Sequence, residues 1–297
     1  MKMKNMTKDL VGRTAENNVA WLAYRMCGRV SHYLGQLYGH ARWTREINHR
    51  DQVLARVLDD LFPDLTVASG PFHGLRYPKG RAFASAFLPK LVGSYESELH
   101  EALERLLTNS YSAVVDVGCA EGYYAVGLGL RLKDAQVYAF DTDSRARDCC
   151  AEMAQLNGIS EKVHIGELCD SDVLRSLPLG QKALIIADCE GYEKQLFTQE
   201  VRETLAGHDL IIEAHDFIDI DISRYLRQVF SGTHCIESIM STDDIQKAHR
   251  YTYERLAKYN ASERRMILGE RRPAIMEWLV MTPLPAQSGL QIGAPAA

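Results

Sequence analysis

"SAVVDVGCAEGYYAVG", Ser112 to Gly127, passes from an apolar run through a turn of minimal side chains into a second run rich in apolar and aromatic residues. The first run reads as a buried strand and the second as a helix. Gly118, Ala120 and Gly122 stand where the chain turns between them. Missing or minimal side chains there let the backbone come close to a ligand. Asp141 follows 23 residues after Gly118, at the end of the next apolar run, "AQVYAFD". An acid at that place can accept hydrogen bonds from both ribose hydroxyls of an adenosine.

Working outward, the same alternation continues to the end of the region. "KVHIGEL", "KALIIAD", "DLIIEAH", "HCIESIM" and "AIMEWLVMT" read as further strands, with helical stretches between them. Seven strands spaced by helices of about ten residues imply βαβ units and a mostly parallel sheet. The expected fold class is α/β, a Rossmann-like seven-stranded, mostly parallel sheet with an N-terminal helical extension.

A glycine turn followed by an acid suits a dinucleotide or S-adenosylmethionine. A dinucleotide fold uses G-x-G-x-x-G, with the helix N-terminus bare for the pyrophosphate. Here the turn reads D-V-G-C-A-E-G, with acids at Asp116 and Glu121. Acids repel a pyrophosphate and attract a sulfonium or an α-ammonium group, so the sign of the charge favours S-adenosylmethionine.

The region from about Ser112 to Thr282 resembles the class I S-adenosylmethionine-dependent methyltransferases. "DVGCAEG" is similar to their glycine-rich first motif and "YAFDTD" to their second. "ADCEGYE" resembles the D-x-E-G-x-E pattern of the FkbM-type members, and "LIIEAHD" the strand that follows it. The resemblance covers a little over half of the chain. It implies methyl transfer, with O-methylation of a sugar, natural product or other small molecule as the class of reaction. The residues expected around the cofactor are Asp116, Gly118, Ala120, Glu121, Gly122, Asp141, Thr142, Cys169 and Asp188.

"ALIIADCEGYEKQLF", Ala183 to Phe197, ends a buried strand in a knot of carboxylates. Ligands of open α/β sheets bind beyond the carboxyl ends of strands, so Asp188 is placed to meet cofactor, substrate or metal. Gly191 allows Glu190 to turn inward. Glu193 reads as an ordinary helix-start acid, favoured by the helix dipole. The next strand ends in Glu213, His215 and Asp216. Three readings are open there. His215, as a neutral imidazole, takes the substrate proton. Alternatively Asp188 with Glu213 or Asp216 holds a divalent cation, Mg²⁺ or Mn²⁺, that lowers the pKa of the substrate hydroxyl. In the third, Glu213 is salt-bridged and His215 is structural. The catalytic candidates are His215 and Asp188. "SERRMILGERRP" carries Arg264, Arg265, Arg271 and Arg272, which read as a solvated face paired with Glu263 and Glu270 before an anion site.

The chain has 297 residues, 46% hydrophobic and 25% charged, with a net charge of −5. That balance leaves no basic field for a nucleic-acid backbone. No apolar run is long enough to cross a bilayer, and no secretory signal opens the chain. Seven cysteines without a CxxC pair suit a reducing, cytoplasmic compartment. Val19, Leu22, Met26, Val30, Leu34 and Leu37 form an apolar stripe on a helix. The expected division is therefore a helical extension over 1–65, for packing or a homodimer, a connecting segment over 66–110, the methyltransferase domain over 111–282 and a disordered tail over 283–297. Ser94 is expected to cap a helix running through "ESELHEALERLL", with Glu96 and Glu98 in its first turn. Two other functions fit the same pattern: a S-adenosylmethionine-binding module without catalysis that works by interaction, and a nicotinamide-dependent Rossmann enzyme.

Overall fold

The computed structural model describes residues 47–79 and 86–285. The stripe from Val19 to Leu37 and the tail beyond 285 lie outside them. The chain divides into two compact units, Met1–Arg56 and Val57–Ala297. Helical backbone covers residues 47–61 (α1) and ends ahead of Pro63. The rest concerns the larger unit.

Seven strands form one sheet: β1 (Ala113–Val117), β2 (Gln136–Phe140), β3 (Val163–Gly166), β4 (Ala183–Ala187), β5 (Asp209–Ala214), β6 (His234–Met240) and β7 (Glu277–Pro283). Their order is β3-β2-β1-β4-β5-β7-β6. The β1 pairs with β2 and β4 are parallel, as are β2 with β3 and β4 with β5. Only β7 is reversed, antiparallel to both β5 and β6. The central β1, β4 and β5 are buried at every residue. Their Val, Ile, Leu and Ala residues, interrupted only by Asp116 in β1 and by Asp209 and Glu213 in β5, suit strands covered on both faces, each larger side chain adding ~1.5–3 kcal/mol on burial.

Helices cover the sheet. α2 (Phe87–Val92) and α3 (His100–Leu106) precede β1. α4 (Tyr123–Arg131), α5 (Ser144–Leu156) and α6 (Ser171–Ser176) follow β1, β2 and β3. α7 (Glu193–Leu196) and α8 (Gln199–Leu205) follow β4, and α9 (Ile222–Phe230) follows β5. α10 (Asp244–Arg250) and α11 (Ala261–Leu268) fill the insertion between β6 and β7. Capping side chains set several starts. Asp143, Asp170, Thr198 and Asp243 each accept from a first-turn amide, and Asn260 with Glu263 forms a capping box.

The segment before β1 departs from expectation. Ser94 is buried and caps no helix; a 3₁₀ turn at Ser97–Leu99 comes first, and α3 starts at His100. Glu96 has φ 48°, in the left-handed region, and its carboxylate is buried. The dipole preference was outweighed by a buried arginine reached from far along the chain. "KQLFTQEVRETL" is likewise two helices, divided where Thr198 caps the second.

Candidate active site

A cavity of about 590 Å³ opens at the carboxyl ends of the parallel strands. That volume suits a drug-sized or cofactor-sized ligand. Its floor is the glycine turn. Gly118 has φ 88°, and a Cβ there would lie 1.8 Å from the Asp188 carbonyl oxygen. Glycine is therefore required where β1 and β4 emerge side by side. The turn is stitched to β2 by Gly118 and Cys119 amides, both donating to the Phe140 carbonyl, at 2.8 and 2.9 Å.

Asp141 leaves the end of β2 and reaches over this turn. Its Oδ2 accepts from the Ala120 amide at 2.9 Å, and its Oδ1 from the Asp143 amide at 2.8 Å. Gly118, Ala120, Asp141, Thr142, Cys169 and Asp188 all line the cavity. The other three expected cofactor residues do not. Asp116 is buried in β1, and burial pushes its carboxyl up to about 8, against a hydrogen bond from the Ala125 amide. Glu121 is buried and held by Lys90 Nζ at 2.5 Å, and Gly122 packs on Cys150. The turn's own acids thus sit behind the cavity wall. The acids that line the cavity are instead Asp141, Glu167, Asp188 and Glu190, together with Glu213 and Glu270, whose charge is answered by Arg272.

The far end of the cavity gathers the ends of β4 and β5. His215 is 3% exposed. Its Nε2 lies 3.3 Å from Asp188 Oδ1 and 3.5 Å from Glu190 Oε2, and its Nδ1 is hydrogen-bonded to Glu193 Oε1 at 2.5 Å. Burial alone would lower the imidazole's pKa, but the neighbouring carboxylates of Asp188 and Glu193 raise it to about 10. With no cation present these carboxylates favour the protonated ring, whereas a cation beside Asp188 would compete with the proton for Nε2 and favour the neutral form. The reading of Glu193 is corrected. It is fully buried beneath His215 and also accepts from the Gly191 amide, so it is not an ordinary helix-start acid. Glu190 takes φ 51°, ahead of Gly191, and points its exposed carboxylate at the same ring. Burial and then Asp188 raise the Glu190 carboxyl above its ordinary range.

Among the described residues, Asp188, Glu213 and His215 each offer one ligand atom within 4.8 Å of the others. Asp216 does not join them. It accepts from Ser223 N at 2.8 Å and Ser223 Oγ at 2.6 Å, tying the β5 end to α9. Two carboxylates and an imidazole suit a divalent cation of the Mn²⁺ or Mg²⁺ kind. Asp188 Oδ1 is a buried atom without a hydrogen-bond donor. Glu193 on Nδ1 is the arrangement that leaves Nε2 as the ligand atom. The residues fit such an ion, with His215 in the place expected for Asp216.

Glu213 is held from the other side by Arg272, which the sequence pattern assigned to a solvated face. Arg272 is instead the centre of a buried network. Its guanidinium pairs with Glu213 and Glu96 at 2.5 Å and with Glu270 at 2.9 Å, and lies 4.6 Å from the Trp278 ring. Lys247, wholly buried, joins Glu270 to Glu98. Glu263 belongs to the α11 capping box and not to this network. Arg272 and Glu96 had no local signal, because their partners are distant in sequence. The one available hint was the density of charge in a segment flanked by apolar strands.

No protein-family model matches the chain, and no curated protein matches it. Solved structures do. A geranyl diphosphate methyltransferase in complex with GPP and sinefungin aligns over 67% of this chain and 81% of its own, at 13% identity and TM-score 0.39. The Bacillus subtilis M1A22 tRNA methyltransferase TrmK aligns over 61% and 64%, at 11% identity and TM-score 0.40. The StiE O-MT structure aligns over 67% and 76%, at 16% identity and TM-score 0.42. Likeness at this level extends to no residue. Among the described residues no helix is long and apolar enough to cross a membrane.

Proposed function

We propose that the chain is an S-adenosylmethionine-dependent methyltransferase acting on a hydroxyl of a small molecule, sugar or natural product. The observation that carries this reading is the Asp141 carboxylate fixed over the glycine turn at the head of an acid-lined cavity. Each oxygen of Asp141 keeps a lone pair after its amide bond, enough for two ribose hydroxyls. The Ala120 amide, which a pyrophosphate would need, is already taken by that carboxylate. This speaks against a nicotinamide dinucleotide. The carboxylates beyond it favour a sulfonium and an α-ammonium group.

The reaction is a direct displacement. The acceptor oxygen forms a bond to the methyl carbon as the carbon–sulfur bond breaks, leaving S-adenosylhomocysteine, and the hydroxyl proton passes to a base or to solvent. Most of the acceleration comes from holding oxygen and sulfonium in line. A cation at Asp188, Glu213 and His215 would lower the pKa of the hydroxyl. The chain's own part is to hold these groups: Glu193 orients His215, and Arg272 orients Glu213.

The test is calorimetry with S-adenosylhomocysteine and, separately, NAD. S-adenosylhomocysteine should bind and NAD should not; the reverse result would overturn the reading. Turnover of labelled S-adenosylmethionine on a panel of hydroxylated acceptors separates an enzyme from a binding module. In that assay a chelator separates the two routes for the proton. Loss of turnover with EDTA, restored by Mn²⁺ or Mg²⁺, supports the cation; unchanged turnover supports a side-chain base.

A further inference from the structure

We infer that Arg271 is the recognition residue for the methyl acceptor, and that the acceptor is an oxyanion: a hydroxylated compound carrying a carboxylate or a phosphate. This rests on the methyl-transfer reading above and adds the substrate class.

Among the described residues lining the cavity, Arg271 is the one Lys or Arg whose side chain has no carboxylate partner. Lys90 is committed to Glu121, and Arg272 to Glu96, Glu213 and Glu270. Both neighbours of Arg271 are fixed: Glu270 is buried on Lys247, and Arg272 is stacked on Trp278. Arg271 stands exposed between them with φ 58°, a left-handed backbone that a long side chain adopts only when its surroundings impose it. Asp244 imposes it. Its Oδ1 accepts from the Glu270 amide at 2.9 Å and its Oδ2 from the Arg271 amide at 3.2 Å. Gly269 completes the clamp, since a Cβ there would meet the Arg265 carbonyl at 2.7 Å and Asp244 Oδ2 at 3.0 Å.

The backbone is thus held rigidly while the guanidinium is left unpaired at the cavity. A preorganised guanidinium fork matches the two oxygens of a carboxylate or phosphate and loses little entropy on gripping them. Phe217, 46% exposed at the same cavity, offers an apolar face to the body of the acceptor. The competing occupant is the cofactor's own carboxylate, and the experiment separates the two.

The experiment titrates inorganic phosphate and, in a second arm, acetate into protein saturated with S-adenosylhomocysteine, for wild type, Arg271→Gln and Arg271→Lys. Wild type should bind at least one anion, and the arm with the tighter binding names phosphate or carboxylate as the group recognised. Arg271→Gln should weaken that anion roughly 10-fold or more, the loss of a charge-assisted pair, and Arg271→Lys should restore part of it. Affinity for S-adenosylhomocysteine should stay unchanged in both variants. Anions that bind neither arm of wild type, or bind Arg271→Gln equally well, overturn the inference. So does a fall in S-adenosylhomocysteine affinity in Arg271→Gln, which would assign the arginine to the cofactor. If wild type does not bind S-adenosylhomocysteine, the methyl-transfer reading itself falls, and this inference with it.

Discussion

Asp141 shows how much a single side chain can do at a strand end. Two backbone amides, those of Ala120 and Asp143, fix both oxygens of its carboxylate. Asp141→Ala should weaken S-adenosylhomocysteine binding by roughly 1–3 kcal/mol, the cost of leaving ribose hydroxyls without their acceptor, as read by calorimetry. Unchanged affinity would remove Asp141 from the cofactor site. His215 is the other side chain whose surroundings set its state. The Glu193 carboxylate on Nδ1 is one of the two partners that raise its pKa to about 10. Glu193→Gln keeps the shape and removes that charge. The His215 pKa should fall, by an amount an NMR titration of the ring in the presence of a chelator would show. A titration curve identical to wild type would mean that Asp188 alone holds the proton. Asp141 and His215 were legible in the sequence because each ends an apolar run. Glu193 was not: helix-start acids are common, and its partner lies 22 residues away, just past the end of β5.

The insertion between β6 and β7 is locked to the rest of the unit by charge where most elements are locked by apolar packing. Lys247 of α10 is wholly buried against Glu98 and Glu270, and Arg272 reaches Glu96, Glu213 and Glu270. Removing one member of such a set leaves buried charge without a partner. Lys247→Ala should cost about 3–5 kcal/mol of folding stability in urea titrations. Lys258→Ala, whose Asp60 pair is at the surface, should leave the midpoint in place. Equal effects of the two would mean that water reaches Lys247. The seven strands were readable because β4 is an unbroken apolar run, β1 and β5 are apolar but for Asp116, Asp209 and Glu213, and the rest alternate with helices. The reversal of β7 between β5 and β6 was not, since strand composition carries no direction. Nor was the Glu96–Arg272 pair, 176 residues apart, for which "SERRMILGERRP" gave only charge and no address. Local pattern decides elements and strand ends; it does not decide which distant charges meet when the insertion folds back.

Across the whole unit the two ends of the parallel strands carry titratable groups of opposite behaviour. At the amino ends, away from the cavity, His208 Nδ1 accepts from the Ala183 amide at 2.9 Å, and His234 Nε2 donates to the His208 carbonyl at 3.0 Å. Both rings are buried in neutral form, and burial lowers both pKa values from the ordinary 6.5. The unfolded chain therefore takes up protons on these two rings before the folded one does. Their contribution to stability is fully present above pH 6.5 and is lost as pH falls below it. Toward the carboxyl end of β1 the sign reverses. Burial raises Asp116 from 3.8 to about 8, so its folded form holds a proton that the unfolded chain has released. Its contribution is present below pH 3.8 and is lost as pH rises through about 8. Two variants separate the limbs. His234→Gln should flatten the loss of stability on acidification below pH 6.5. Asp116→Asn should gain on wild type as pH rises through the carboxyl's window, by at most ~1.4 kcal/mol per pH unit for a single proton. Urea midpoints measured across pH on apo protein with a chelator check both. A wild-type minus Asp116→Asn difference that stays constant with pH would mean that Asp116 is ionised in the folded protein, with its charge compensated inside the sheet.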